Sequence, residues 1–212
     1  MYQLIAALYP AKLKLKFQQL LGYCGIQTPL VRYLGFTTII SIIAGVLFGL
    51  LLRIFLDFPL LVLIIGGFFL FQGTVFTWLV LTADARARFV ETLLPDALQL
   101  MASNLRAGLT VDRALLLAAR PEFGAFKEDI NQVGKELATG KELSEALMNL
   151  SARIKSERLK KTFQLIVSAM ASGGELANLL EQTANNLRQQ KLIEQRIRAN
   201  VLVYVIFIFS AI

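Results

Sequence analysis

Apolar residues run without a charge from Leu34 to Leu52 and again from Phe58 to Leu81. The two runs, of nineteen and twenty-four residues, are each long enough to cross a hydrocarbon core as a helix. The link from Arg53 to Asp57 is too short for anything but a tight hairpin. Gly45 and Gly49 form a small-xxx-small pattern that permits close helix approach, with Gly66, Gly67 and Gly73 available on the facing helix. Gln72 is the strongly polar side chain of the second run and is expected to face protein, and Trp78 suits an interfacial belt. Upstream, Leu13, Phe17, Leu20 and Leu21 share one helical face flanked by Lys12 and Lys16, although strict alternation over the same stretch also suits a strand. An amphipathic helix is the expected form, either lying on the cytoplasmic leaflet or packed on the helical bundle downstream.

From Phe89 the pattern becomes helical and amphipathic. Leu94, Leu98, Met101 and Leu105 mark a first helix, with Pro95 expected in its first turn. Thr110 is placed to cap a second helix running to Arg120 and stopped by Pro121, and its apolar content predicts a buried centre. Phe126, Ile130, Val133 and Leu137 mark a third helix. Leu143, Leu147, Leu150 and Ile154 mark a fourth, and Leu159, Phe163, Ile166 and Met170 a fifth. The sixth starts at Glu175 and meets no stop before the apolar run Val201 to Ile212. Gly108, Gly140 and the pair Gly173-Gly174 punctuate these helices at steps of 32 and 33 residues and predict left-handed helix ends. The class is therefore all-α: a polytopic membrane protein with a transmembrane helical hairpin, a cytoplasmic six-helix bundle and the start of a further transmembrane helix. Its parts are an N-terminal segment over 1–33, the hairpin over 34–81, the helical domain over 82–200, and 201–212 as a third span read as truncated.

Composition supports this division. A hydrophobic share of 56% is high for a soluble domain. Lys12, Lys14, Lys16 and Arg32 precede the first run and Arg86 and Arg88 follow the second, which puts the N-terminus and the helical domain on the cytoplasmic side. The net charge of +7 is a membrane signature, because residues 82–200 hold 17 basic against 14 acidic side chains and offer no phosphate-binding stripe. Nucleic-acid binding is not expected. The chain has no histidine and one cysteine, Cys24, which removes His-dependent nucleophiles, His-ligated zinc and an intrachain disulfide. The Gly173-Gly174 turn lacks the context of a phosphate loop, and Glu175 beside it would repel phosphate. No catalytic, cofactor or metal site is expected, and the protein is read as not an enzyme.

Four short stretches in order carry a resemblance: Leu94-Pro95-Asp96-Ala97-Leu98, Leu105-Arg106-Ala107-Gly108-Leu109, Gly140-Lys141-Glu142-Leu143 with Ala146-Leu147, and Ser172-Gly173-Gly174-Glu175-Leu176 with Leu179-Leu180. Together they resemble the cytoplasmic domain of the type II secretion system F family, the membrane platform proteins of secretion systems, type IV pili, Tad pili and archaeal flagella. The two upstream spans and the stretch Gly25 to Leu30 are similar to its Tad-like and archaeal branch. The resemblance implies a non-enzymatic platform in the cytoplasmic membrane whose partners are a hexameric secretion ATPase, pilin-like subunits, membrane lipid and further copies of itself. Charge at the helical turns then makes Arg106, Lys141, Glu142 and Glu175 the expected ATPase contacts. The competing reading is a membrane-anchored helical-repeat adaptor, suggested by the even spacing of the glycines. An intramembrane enzyme or transporter would need ionisable residues within the spans, and neither run contains one.

Overall fold

The structure is a computed structural model in which residues 10–26, 28–54, 59–171 and 175–210 are described. The described residues form helices joined by short turns, with no strand, and divide into two compact units: one covers residues 1–87 with 153–155, the other 88–152 with 156–212. Residues 55–58 between the two apolar runs, including Asp57, and the glycines Gly173 and Gly174 lie outside the described residues.

The first unit contains α1 (Ala11–Cys24), α2 (Leu30–Arg53) and the beginning of α3 (Leu60–Arg106). The alternating Lys-Leu stretch is helical, which settles the strand alternative. Phe17 and Leu21 pack with Leu34 and Leu79, and the rings of Phe17 and Phe76 meet edge to face at 5.5 Å. The apolar face of α1 is thus covered by the α2–α3 hairpin, while Leu13, expected on that face, is exposed. α1 stops at Gly25 with φ 73°, where Arg86 Nη1 donates to Tyr23 O at 3.0 Å. The cation sits at the negative end of the helix dipole, and a Cβ on Gly25 would lie 2.5 Å from that nitrogen.

Small residues let α2 and α3 touch backbone to backbone. A Cβ on Gly45 would come within 2.9 Å of Phe68 N, one on Gly49 within 3.1 Å of Ile64 N, and one on Gly67 within 3.0 Å of Gly45 Cα. Gly66 and Gly73 face open space and take no part. Gln72 does face protein: its Oε1 lies 2.9 Å from Ser41 Oγ, which is fully buried. Both helices are long and apolar enough to cross a membrane. The most apolar window of α3 is only 6% buried, which is unlike the core helix of a soluble protein.

The second unit holds the end of α3, α4 (Val111–Ala118), a 3-10 turn (Pro121–Phe123), α5 (Ala125–Ala138), α6 (Leu143–Ala152), α7 (Glu157–Ala171) and α8 (Leu176–Ser210). That is the expected set of six helices. Leu94, Met101, Leu115, Phe126, Ile130, Leu147, Leu150, Leu159, Ile166 and Leu180 are buried at its centre. Each such side chain contributes roughly 1.5–3 kcal/mol of transfer free energy.

Three expectations need correction. No helix begins near Phe89, because α3 runs unbroken from the apolar stretch to Arg106 with Pro95 in its interior. An interior proline costs about 3 kcal/mol, and burial of its neighbours Leu94 and Leu98 offsets that cost. The helix after Thr110 ends at Ala118, short of Arg120, because the residue before Pro121 is driven out of helical space: Arg120 has φ -73° and ψ 155°. The same helix is not buried all round, since Ala114, Leu115 and Ala118 point inward and Leu117 is 64% exposed.

Gly108 and Gly140 both have φ 86°. Gly108 N donates to Leu105 O and Leu109 N to Asn104 O, and the same pair of bonds recurs from Gly140 N to Leu137 O and Lys141 N to Glu136 O. Both are Schellman ends that use up orphan carbonyls. The even glycine spacing reflects a repeated helix pair: Val111 and Ala125, which begin α4 and α5, precede Leu143 and Glu157, which begin α6 and α7, by 32 residues in both cases.

Candidate interaction surfaces

Two of the four expected contact residues meet at the start of α8. Arg106 pairs with Glu181 and its Nη2 lies 3.1 Å from Asn178 Oδ1, while Asn178 Nδ2 donates to Glu175 Oε2. Arg106 and Glu175 therefore share one polar cluster through Asn178. Lys141 belongs to a different one, at the α5–α6 turn, 3.4 Å from Glu136 Oε2 and 3.5 Å from Glu145 Oε1. Glu136 Oε2 also accepts from Asn149 Nδ2 at 3.0 Å. Glu142 is exposed beside Lys141. No described contact joins the two clusters. The paired groups are all partly exposed, so each pair stabilises by only about 0.2–1 kcal/mol.

A ladder of ion pairs that sequence reasoning missed runs along α3 and α8. Arg106 meets Glu181, Asp96 meets Arg188 at 2.8 Å, and Glu91 and Glu194 both reach Arg158 of α7 at 3.7 and 2.7 Å. Residue numbers fall along α3 as they rise along α8, so the two helices are antiparallel here. Glu181, Arg188 and Gln195 stand at seven-residue steps, as do Thr92, Gln99 and Arg106. That heptad spacing of polar residues beside an apolar seam is the signal that would have found the ladder.

Ser156 anchors the same region from α7. Its hydroxyl lies 2.6 Å from Glu91 Oε1 and accepts Leu159 N–H at 3.0 Å, which caps the helix and ties it to α3. Ser156→Ala should lower stability by about 1–2 kcal/mol, because it removes the cap and a buried partner of a carboxylate together. Thermal unfolding of the full chain in detergent checks this: a melting point equal to that of the parent would rule out the cap. At α4 the expected cap residue behaves differently. Thr110 occupies the N-cap position without a side-chain cap bond, and its hydroxyl instead bonds the Asp112 carboxylate, whose pKa is held below the usual range. A depressed folded pKa stabilises above the unfolded value, and that contribution is lost as pH falls through the folded one.

Among the described residues no group of histidine, cysteine or carboxylate side chains could hold a metal. Cys24 donates to Leu79 O at 3.4 Å, and burial raises its pKa, so it is held as an unreactive thiol.

The family model described as type II secretion system (T2SS), protein F, matches residues 97–212, more than half of the chain. An uncharacterized protein of Methanocaldococcus jannaschii is 22% identical over 176 residues, which are 82% of this chain and 29% of that protein. The chain thus spans about three tenths of the length of the curated relative it matches. No solved structure matches.

Proposed function

Because the chain belongs to the family of type II secretion system protein F, we propose that it is a non-enzymatic platform of the cytoplasmic membrane that couples a hexameric secretion ATPase to pilin-like subunits. The product would be a type IV pilus-like or archaeal flagellum-like filament, or type II-like secretion. The observation that carries this reading is α3, one helix that begins as an apolar span and ends in the polar domain at Arg106. An unbroken helix offers a path by which a push on the domain reaches the span. The proposed domain order is the N-terminal segment to residue 33, the hairpin over 34–81, the helical domain over 82–200 and a further span from 201. The platform acts as a homo-oligomer.

The proposed topology puts the N-terminus and the helical domain in the cytoplasm, on the side of Lys12, Lys14, Lys16, Arg86 and Arg88. A reporter inserted after Glu122 should be cytoplasmic and one between α2 and α3 external. An external signal from the Glu122 fusion would overturn the topology.

The ATPase is proposed to dock on Arg106, Lys141, Glu142 and Glu175. Since Arg106 already pairs with Glu181, Arg106→Glu alone would also disturb the domain. Exchanging the pair (Arg106→Glu with Glu181→Arg) keeps the internal bridge and moves its charges, and Lys141→Glu is added to it. This triple variant should melt within a few degrees of the parent and bind ATPase-bearing membrane extract about tenfold more weakly at low salt, with the difference closing as salt rises. Equal binding at every ionic strength would remove this surface from the reading.

The repeated helix pair favours a second reading, a membrane-anchored helical-repeat adaptor, for which neither the ATPase nor the charge exchange would matter.

A further inference from the structure

The ladder between α3 and α8 pairs its cations with carboxylates until it reaches the end nearest the apolar segments of both helices. There a cleft of about 200 Å³ opens in the helical unit, lined by Arg88 and Glu91 of α3, Arg158 of α7, and Leu187, Lys191 and Glu194 of α8. Arg158 is held between Glu91 and Glu194, and Glu91 is further bound by Ser156. Both carboxylates are thus already occupied. Arg88 and Lys191, by contrast, have no carboxylate partner among the described residues and border the same cleft. Two cations left unpaired beside a fixed third one make a place for an anion.

We propose that this cleft binds the phosphodiester headgroup of an anionic phospholipid, held between Arg88 and Lys191, with Arg158 as a fixed cation at its wall. Sequence position selects a lipid over a soluble phosphate. Arg88 follows closely on the apolar run that ends at Leu81, and Lys191 closely precedes the one that begins at Val201. At 1.5 Å of rise per residue each cation's backbone is roughly 10–15 Å from an apolar segment along its own helix, a few ångströms beyond a headgroup layer about 5–7 Å deep, a gap that long Arg and Lys side chains bridge by reaching back toward the membrane. The volume equals roughly six to seven water molecules at about 30 Å³ each, room for a phosphate and part of its glycerol. Leu187, buried at the cleft's edge, supplies an apolar wall for the glycerol carbons. The site differs from the basic N-terminal helix, lying in the helical domain where a bound headgroup would bridge α3 and α8. The inference rests on the proposed membrane placement and not on ATPase coupling.

The test follows thermal unfolding of the full chain in detergent while phosphatidylglycerol, phosphatidylcholine or glycerol 3-phosphate is titrated in. Phosphatidylglycerol should raise the melting point saturably, and the Arg88→Gln/Lys191→Gln variant should need about thirtyfold more of it. The control Lys161→Gln/Arg196→Gln loses the same charge outside the cleft and should respond like the parent. The proposal is overturned if the cleft variant responds like the parent, if the control loses as much, or if phosphatidylcholine or glycerol 3-phosphate matches phosphatidylglycerol. Flotation of the parent with vesicles after carbonate washing keeps the two levels apart. A chain that does not float sinks the membrane placement itself, whereas one that floats without a phosphatidylglycerol effect sinks only the cleft.

Discussion

Gly45→Ile is expected to force α2 and α3 apart, with a loss of roughly 3 kcal/mol or more. The obstacle is backbone: a Cβ at Gly45 would sit 2.9 Å from Phe68 N and 3.0 Å from Ile64 O, and neither atom can rotate away. Moving the helix instead would break the hydrogen bond that buried Ser41 donates to Gln72 Oε1 across the two helices. It would also loosen the seat of Phe17 and Leu21 of α1 between Leu34 and Leu79. Gly66→Ile is the built-in control, because nothing lies within 4 Å of its Cβ. Unfolding in detergent, followed by heat or by added denaturing surfactant, should therefore separate the two variants sharply. If Gly45→Ile and Gly66→Ile melt together near the parent, the close approach does not exist.

Gly108→Val with Gly140→Val is the second large effect, about 1–2 kcal/mol at each position. Both glycines have φ 86° and open space where a Cβ would go, so the cost is conformational and not steric crowding from neighbours. That makes an ordered series: asparagine, which tolerates the left-handed region, should lose least, alanine more and valine most. The two sites close different helices and share no described partner, so the losses should add to within about half a kcal/mol. Chemical unfolding of the full chain measures this directly. A series in which asparagine loses as much as valine, or in which none of the three loses anything, would show that the left-handed backbone does not set the cost.

The period of the apolar residues made the helices legible because each one buries a single stripe. Phe126, Ile130 and Val133 of α5 and Leu147, Leu150 and Ile154 from α6 onward fall where the pattern puts them. Boundaries were less legible where two local rules compete. A proline in a helical pattern reads as a start, yet α3 carries Pro95 through, because Leu94 and Leu98 gain more from burial than the missing hydrogen bond costs. Arg120 shows the opposite balance: it is exposed, no burial of its own is lost by leaving helical space, and Pro121 wins. The two glycine ends were readable from single residues, since few others tolerate that backbone. The charged surface was harder. Arg106, Lys141 and Glu175 were visible as charges at turns, but their partners Glu181, Glu136 and Asn178 depend on which helices lie side by side, and no local window contains that. The cleft lined by Arg88 and Lys191 was invisible for the same reason, as its residues come from three helices far apart in sequence.

Photocrosslinking from the polar cluster at the start of α8 tests the central claim most directly. A photoreactive side chain in place of Asn178, which joins Arg106 to Glu175, should capture the secretion ATPase in intact cells, while the same group at the exposed Leu117 should capture much less. Equal capture from both positions, or none from Asn178 in cells that are assembling filaments, would contradict a platform that meets its motor at this cluster.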